Sequence, residues 1–377
     1  MSTRHFSKTL HASVSIAVCL AAVANCSEKA HPVYPDRQWA HSKPEEIGLD
    51  ADRLKALSKY AGGSGCLVRG GYMVYTWGNA ERRRDVASAA KPLYTHFLLT
   101  AVEKAKMASI DEPVYKVEPQ LALLNKSLLY KDRSITWRHL CNQVSCYGVH
   151  EQPGTAFDYN DYNMALFFDC LFLKVYKSSW EKVDSDILHP QLTDILQCQD
   201  DPTFMAFGLD DRPGRLAISP RDFARFGLLY LRSGKWKDKH IITAENVKLA
   251  VTNPLPISIP RTTGKTSEMI KAQRSIGGGK NQCDHNGSYS FAWWINGIGR
   301  NGKRHWPDAP NDVYGCFGHG SIRAMVVIPT KDIIVSWNDT KIKDSVMVNN
   351  ALKLLHEAAD TSKTKPSKTT PNSSKLN

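Results

Sequence analysis

Ser88-Ala-Ala-Lys91 places a hydroxyl and an amine three residues apart, a spacing that on a helix sets both groups on one side, one turn from each other. A hydroxyl becomes a nucleophile when a neighbouring amine helps remove its proton. Ser88 is expected to open a helix whose buried face runs through Leu93, Phe97, Leu98, Ala101, Val102 and Ala105, with Pro92 tolerated in its first turn. Burial would lower the pKa of Lys91, and the helix start would favour negative charge on an attacking oxygen. The same four-residue pattern recurs at Ser179–Lys182 and Ser362–Lys365 without that apolar face. In an arbitrary protein it more often means a capping serine followed by a surface lysine.

A second polar segment is Pro153-Gly-Thr-Ala-Phe-Asp-Tyr159-Asn160-Asp161-Tyr162. Read alone, its Tyr159 is a packed ring with a hydrogen-bonded hydroxyl. A third is Phe317-Gly318-His319-Gly320-Ser321, leading through Ile322 into an apolar stretch at Arg323–Ile328. Glycines there permit close backbone approach by a ligand and expose N–H groups at a strand edge. A lone histidine between glycines is ordinarily a turn residue.

The elements that must position these groups follow from pattern. Cys66–Val68 and Tyr72–Trp77 flank Arg69-Gly70-Gly71 as a hairpin, and Tyr289–Ile295, Arg323–Ile328 and Asp332–Trp337 read as three further strands. Helices are expected near Ala51–Tyr60 and Val346–Ala359, and residues 88–280 are mostly helical in pattern. Ser219-Pro220-Arg221-Asp222 starts one helix with a capping hydroxyl and a proline in the first turn, and Gly234 stops it. Strands at both ends with helices between them imply an α+β fold, one antiparallel sheet assembled from the two termini with a helical region inserted.

The 377 residues are 42% hydrophobic and 23% charged, which excludes a disordered or fibrous chain. Half of the +12 net charge sits on Arg4, Lys8, Lys363, Lys365, Lys368 and Lys375, in end segments without acids. Nucleic acid is therefore not the expected partner. Arg4, His5 and Lys8 precede the uncharged apolar run Ala12–Ala24, which ends in a small-x-small pattern and reads as a secretory signal. A linker over 25–42, a domain over 43–360 (sheet part 43–87 and 285–360, helical part 88–284) and a disordered Lys/Ser/Thr/Pro-rich tail over 361–377 complete the division. The exported product is expected in the periplasm or outside the cell, with lipid anchoring at Cys26 as the weaker option. Cys141 and Cys146 form the one locally suggestive disulfide couple. No two of the 13 histidines lie within five positions of each other, so short zinc motifs are missing and neither a metal nor an organic cofactor is expected.

In order and spacing the three polar segments resemble the serine β-lactamase and penicillin-binding-protein superfamily, in its class C and esterase-like branch, from about residue 43 to 358. Ile135–Leu140 before Val144-Ser145-Cys146, the helix from Ile218 to Leu229, Trp293-Trp294 and Trp306–Pro310 add to the likeness. The resemblance implies the β-lactamase/transpeptidase-like fold, Ser88 as nucleophile, Lys91 as its activating partner, and Tyr159 as general base in acylation and proton donor to the leaving group. It also implies an oxyanion hole from the Ser88 N–H and that of Ser321 or Ile322. Three positions depart from the family pattern. Asp161 replaces the asparagine of Y-x-N, His319 replaces the lysine of K-T-G, and Ser321 stands at that motif's last glycine. Losing a fixed positive charge at His319 disfavours anchoring a penicillin carboxylate. Arg82-Arg83-Arg84 is an additional candidate anion contact, against its simpler reading as a solvated charge run. The expected activity is thus hydrolysis of a small ester, amide or peptide through an acyl-enzyme. The alternatives are a penicillin-recognising D-Ala carboxypeptidase and a non-catalytic binder of cell-wall peptides.

Overall fold

The computed structural model describes residues 33–207 and 213–360, so the leader, Cys26 and the tail lie outside the described residues. In chain order the first half carries α1 (Ala51–Ala61), β1 (Ser64–Arg69), β2 (Tyr72–Trp77), β3 (Arg84–Asp85), α2 (Lys91–Glu103), α3 (Trp137–Cys141) and α4 (Asp161–Phe168). There follow β4 (Ala217–Ile218), α5 (Pro220–Leu231), β5 (Lys235–Trp236), β6 (Lys239–His240) and α6 (Ala244–Thr252). The last part holds β7 (Tyr289–Ser290), β8 (Trp293–Ile295), β9 (Tyr314–Gly318), β10 (Arg323–Ile328), β11 (Ile333–Asn338) and α7 (Ser345–Ala359).

One seven-stranded antiparallel sheet has the order β2-β1-β11-β10-β9-β8-β7, so β1 and β11, from opposite ends of the described chain, pair inside it as second and third strands. Side chains alternate along each strand between two cores. Leu67, Val326, Ile328, Ile333 and Val335 face α1 and α7, while Cys66, Val68, Met325, Val327 and Ile334 face α5 and the inserted region. The expected α+β sandwich is present. Its central helix α5 is capped as the sequence indicates, with the Ser219 hydroxyl accepting the Asp222 N–H at 3.2 Å. Gly227 lets α5 approach the sheet, since a Cβ there would stand 2.7 Å from Met325 Sδ.

Several expectations need correction. Tyr289–Ile295 is not one strand: Phe291 and Ala292 both adopt positive φ and fold it into the β7–β8 hairpin. Tyr314–Gly318, short and glycine-interrupted, is a strand of its own. The inserted region is less helical than its pattern suggests, because residues 253–288 run as turns and loops. Residues 33–42 do not hang free as a linker. Trp39 is buried, and the Arg225 guanidinium donates to the Asp36 and Arg37 carbonyls. Cys141 and Cys146 are unpaired, as are the other five described cysteines, and their thiols donate to nearby carbonyls.

At its open end β9 abuts the segment that carries Ser88. A Cβ on Gly318 would sit 2.0 Å from the Val86 carbonyl oxygen, a backbone atom, whereas the obstacles at Gly227 are side-chain atoms, Met325 Sδ at 2.7 Å and Ile334 Cγ2 at 2.8 Å. Gly318→Ala is therefore expected to cost about 1–3 kcal/mol by overpacking, and Gly227→Ala distinctly less. Chemical denaturation of both variants checks the ranking; equal losses would show that β9 has room to retreat.

Candidate active site

Ser88 does not open the α-helix directly. It lies in a tight 3₁₀ turn, Ala87–Ala90, that feeds α2, and α2 ends at Glu103 so that Ala105 is outside it. The turn begins with Ala87 at φ 52°, a left-handed conformation that costs a non-glycine residue roughly 1–2 kcal/mol. Local bonds hold it there. Asp85 Oδ1 accepts the Ala87 N–H at 2.8 Å, and the Val86 N–H donates to the Leu216 carbonyl at 2.8 Å. Arg215 fastens Asp85 in turn, donating to it from Nε at 3.0 Å and from Nη2.

Lys91, the first residue of α2, is 1% exposed. Its Nζ donates to Ser88 Oγ at 2.7 Å and to Asp161 Oδ1 at 2.8 Å, and lies 4.5 Å from the centre of the Tyr159 ring. Tyr159 and Asp161 flank Asn160, the N-cap of α4, whose side-chain oxygen accepts the Tyr162 N–H at 2.8 Å. The amide of Asn160 is fixed to the Tyr147 carbonyl and to Asp158. This capping geometry sets the flanking residues at the start of α4, where Asp161 reaches Lys91. The second Asp161 oxygen accepts from the Gly278 N–H at 2.8 Å and from Gln282 at 3.1 Å.

These contacts reverse one expectation. Burial does oppose the Lys91 charge, but the Asp161 carboxylate and the Tyr159 phenol outweigh it, and the Lys91 pKa is raised rather than lowered. The same pairing, together with its hydrogen bonds, overcomes burial at Asp161 and holds its carboxyl below the ordinary range. At Tyr159 burial prevails over the nearby Lys91, so its phenol pKa is raised. The resting site at neutral pH thus contains an ammonium, a carboxylate and a neutral phenol.

Ser88 and Tyr159 line a cleft of about 380 Å³ together with the aromatic wall of Trp294, His305, Trp306 and Phe317, the His319-Gly320-Ser321 segment, and the charged residues Asp284, Lys343 and Asp344. His305 stacks on Trp294 with ring centres 5.8 Å apart, and burial pushes its pKa down to about 4, so this wall is uncharged. Cys283 also borders the cleft, its thiol pushed up to about 12 by burial. Ser321 reaches the cleft surface, and its carbonyl is tied to Trp337 Nε1 at 2.9 Å. The Ile322 carbonyl accepts the Thr340 N–H at 3.1 Å. Of the two expected oxyanion donors, Ser321 is the one that borders the same space as Ser88. Arg83 pairs with Asp201, and Arg84 pairs with Asp339 at 3.1 Å, so both are occupied away from the cleft.

Sequence reasoning brought Ser88, Lys91, Tyr159, Asp161, His319, Gly320 and Ser321 to this region, but missed Asp85, Arg215, Gly278 and Gln282. Asp85 had a local signal, a carboxylate two residues before the N–H it caps. The other three are joined to the site only through the folded chain.

No family model and no curated protein matches this chain. Solved structures do match. A penicillin-binding-protein homologue from Caulobacter crescentus has a TM-score of 0.54 at 13% identity, covering 82% of this chain and 99% of that one. A β-lactamase from Mycobacterium bovis gives 0.54 at 16% identity, covering 81% and 97%. This chain shares the fold of these two proteins. Among the proteins that share it is EstCE1, described as a hydrolase with promiscuous acyltransferase activity, with a TM-score of 0.56 at 13% identity, covering 82% and 99%.

Asp161→Asn would leave the Lys91 ammonium buried without its counter-ion, a loss of about 3–5 kcal/mol near neutral pH. The Lys91 pKa should then fall below that of an ordinary lysine, because burial is no longer outweighed. The carboxylate pKa is depressed in the folded state, so its contribution is present above about pH 3.9, the unfolded value, and fades as pH falls through the lower folded value. Denaturation of both proteins across pH, with an NMR titration of labelled lysine, tests this. An unmoved Lys91 titration in the variant would contradict it.

Proposed function

We propose that this chain is an exported serine hydrolase that cleaves an ester or amide through an acyl-enzyme on Ser88. The observation that carries the proposal is the position of Lys91 Nζ, bonded at once to Ser88 and Asp161 and set against Tyr159 at the edge of an open cleft. A purely structural buried lysine has no need of a partly exposed serine, set just after a strained residue, as partner. Export is supported by the amino-terminal sequence alone.

The protonation states support a relay. Ser88 Oγ attacks the carbonyl carbon while its proton passes to Tyr159 Oη, and the phenol's own proton passes to the leaving oxygen or nitrogen. Tyr159 is thereby base and acid in one step and ends as it began, so no phenolate is needed. The Lys91 ammonium stabilises negative charge building on Ser88 Oγ, and the backbone N–H groups of Ser88 and Ser321 receive the carbonyl oxygen. In the second half a water attacks the acyl carbon and gives its proton to Tyr159 as the phenol protonates the departing Ser88 oxygen. The products are an acid and an alcohol or amine, and the enzyme is restored.

Position 319 carries no fixed cation, the aromatic wall is uncharged, and Lys343 in the lining is accompanied by Asp284 and Asp344, so the cleft suits esters and amides with neutral leaving groups better than penicillins. EstCE1, which shares this fold, is described as a hydrolase, in keeping with this reading.

A fluorophosphonate probe should label Ser88, located by peptide mass spectrometry, and Ser88→Ala should not be labelled. Labelling elsewhere would refute the assignment. Lys91→Ala and Tyr159→Phe should each lower kcat/KM for p-nitrophenyl acetate by roughly 10²–10⁴-fold, a loss that a binder of cell-wall peptides would not show. Since the ammonium form of Lys91 is the active one, wild-type rates should hold through pH 9, while the alkaline decline in Asp161→Asn should move to lower pH. Coincident profiles would remove Lys91 from the chemistry.

A further inference from the structure

Ser88 borders a second cavity, of about 640 Å³, which shares Gln282, His319 and Gly320 with the first cleft and has none of its four aromatic-wall residues. Tyr159 lines the aromatic cleft and is not part of this second lining, whereas Asp161 and Arg215 are. If Tyr159 delivers the proton to the leaving group, that group departs into the aromatic cleft. The acyl portion must then extend the other way, into the polar cavity.

The charges there are unevenly committed. Asp161 is taken by Lys91, Gly278 and Gln282. Arg215 is spent on Asp85 and, at 3.0 Å, on the Ile276 carbonyl. Arg323, at the start of β10, is held far less. Its two ion pairs, to Asp85 and to Asp339, are both 3.6 Å long, and its side chain keeps about a fifth of its surface open. A guanidinium presents five donors in a planar fork suited to a carboxylate.

We infer that this cavity is an acyl-side subsite for a carboxylate, so that preferred substrates are esters or amides whose acyl chain ends in a single negative charge held by Arg323. The inference rests on the hydrolase reading for its direction along the substrate, and it adds the substrate class. It also separates two ends of the cleft chemically: an uncharged leaving group beside Trp294 and an anionic acyl group beside Arg323.

The test compares p-nitrophenyl hydrogen adipate with its methyl-capped, neutral counterpart, which share leaving group and chain length. Wild type should prefer the anion in kcat/KM by roughly ten- to hundredfold. In Arg323→Gln that ratio should approach one, and in Arg323→Lys it should be intermediate. Taking the ratio within each variant cancels any general loss of folded or active protein. Independently of turnover, Ser88→Ala should bind monomethyl adipate by calorimetry, and Ser88→Ala combined with Arg323→Gln should not. Equal turnover of both wild-type substrates, a preference surviving Arg323→Gln, or no binding by Ser88→Ala overturns the subsite. Arg323-dependent binding without hydrolysis of either ester instead overturns the hydrolase reading and keeps the subsite.

Discussion

The buried contact between Lys91 and Asp161 is the constraint on which the site depends. Two opposite charges taken out of water must meet at close range with their remaining valences satisfied, or the structure loses several kcal/mol. Here the ammonium has the Ser88 oxygen and the carboxylate, and the carboxylate has Lys91, a backbone N–H and a side-chain amide. Satisfying that pair obliges α2, the cap of α4 and the 276–282 loop to converge on one point. The nucleophile is placed as a consequence, because Ser88 lies one turn from the residue that cannot be moved.

A ring of polar contacts closes around the pair. Asp161 holds Gly278 and Gln282, the Ile276 carbonyl accepts from Arg215, Arg215 clamps Asp85, and Asp85 caps the N–H of the left-handed Ala87 just before Ser88. Every contact in that ring is short-range, yet its members come from four separate stretches of chain. Distortion at any one of them therefore reaches the serine through few intermediaries. The strain at Ala87 persists because the Asp85 carboxylate and the Leu216 carbonyl both hold the turn, and Arg215 fixes Asp85.

Much of the architecture was legible because it is written in local periodicity. Alternation along Cys66–Val68, Arg323–Ile328 and Ile333–Trp337 matches the two cores they face, and the cap at Ser219 marks its helix to the residue. What escaped was non-local or contrary to pattern. Phe291 and Ala292 carry no turn signature, yet both take positive φ and split an apolar run into a hairpin. Tyr314–Gly318 is too short and too rich in glycine to announce a strand. Ser88, Tyr159 and the His319 segment could be picked out by spacing, but the sign of the Lys91 shift could not. That sign belongs to a carboxylate 70 positions away, and one lysine in isolation shows only the burial that acts against its charge. Arg323 was invisible for the same reason, since the first residue of a strand looks like any surface arginine until its neighbours are seen to be otherwise engaged.

The pairing of β1 with β11 has a temporal side. Ser64 and Asn338 are direct neighbours inside the sheet, although the whole inserted region separates them along the chain. A polypeptide leaving the ribosome amino end first cannot complete that sheet until Ile333–Asn338 have emerged. For most of its synthesis it remains an open chain whose early hairpin has one unsatisfied edge. Until β11 emerges, that edge has no partner strand and the inserted region has no completed sheet to pack on.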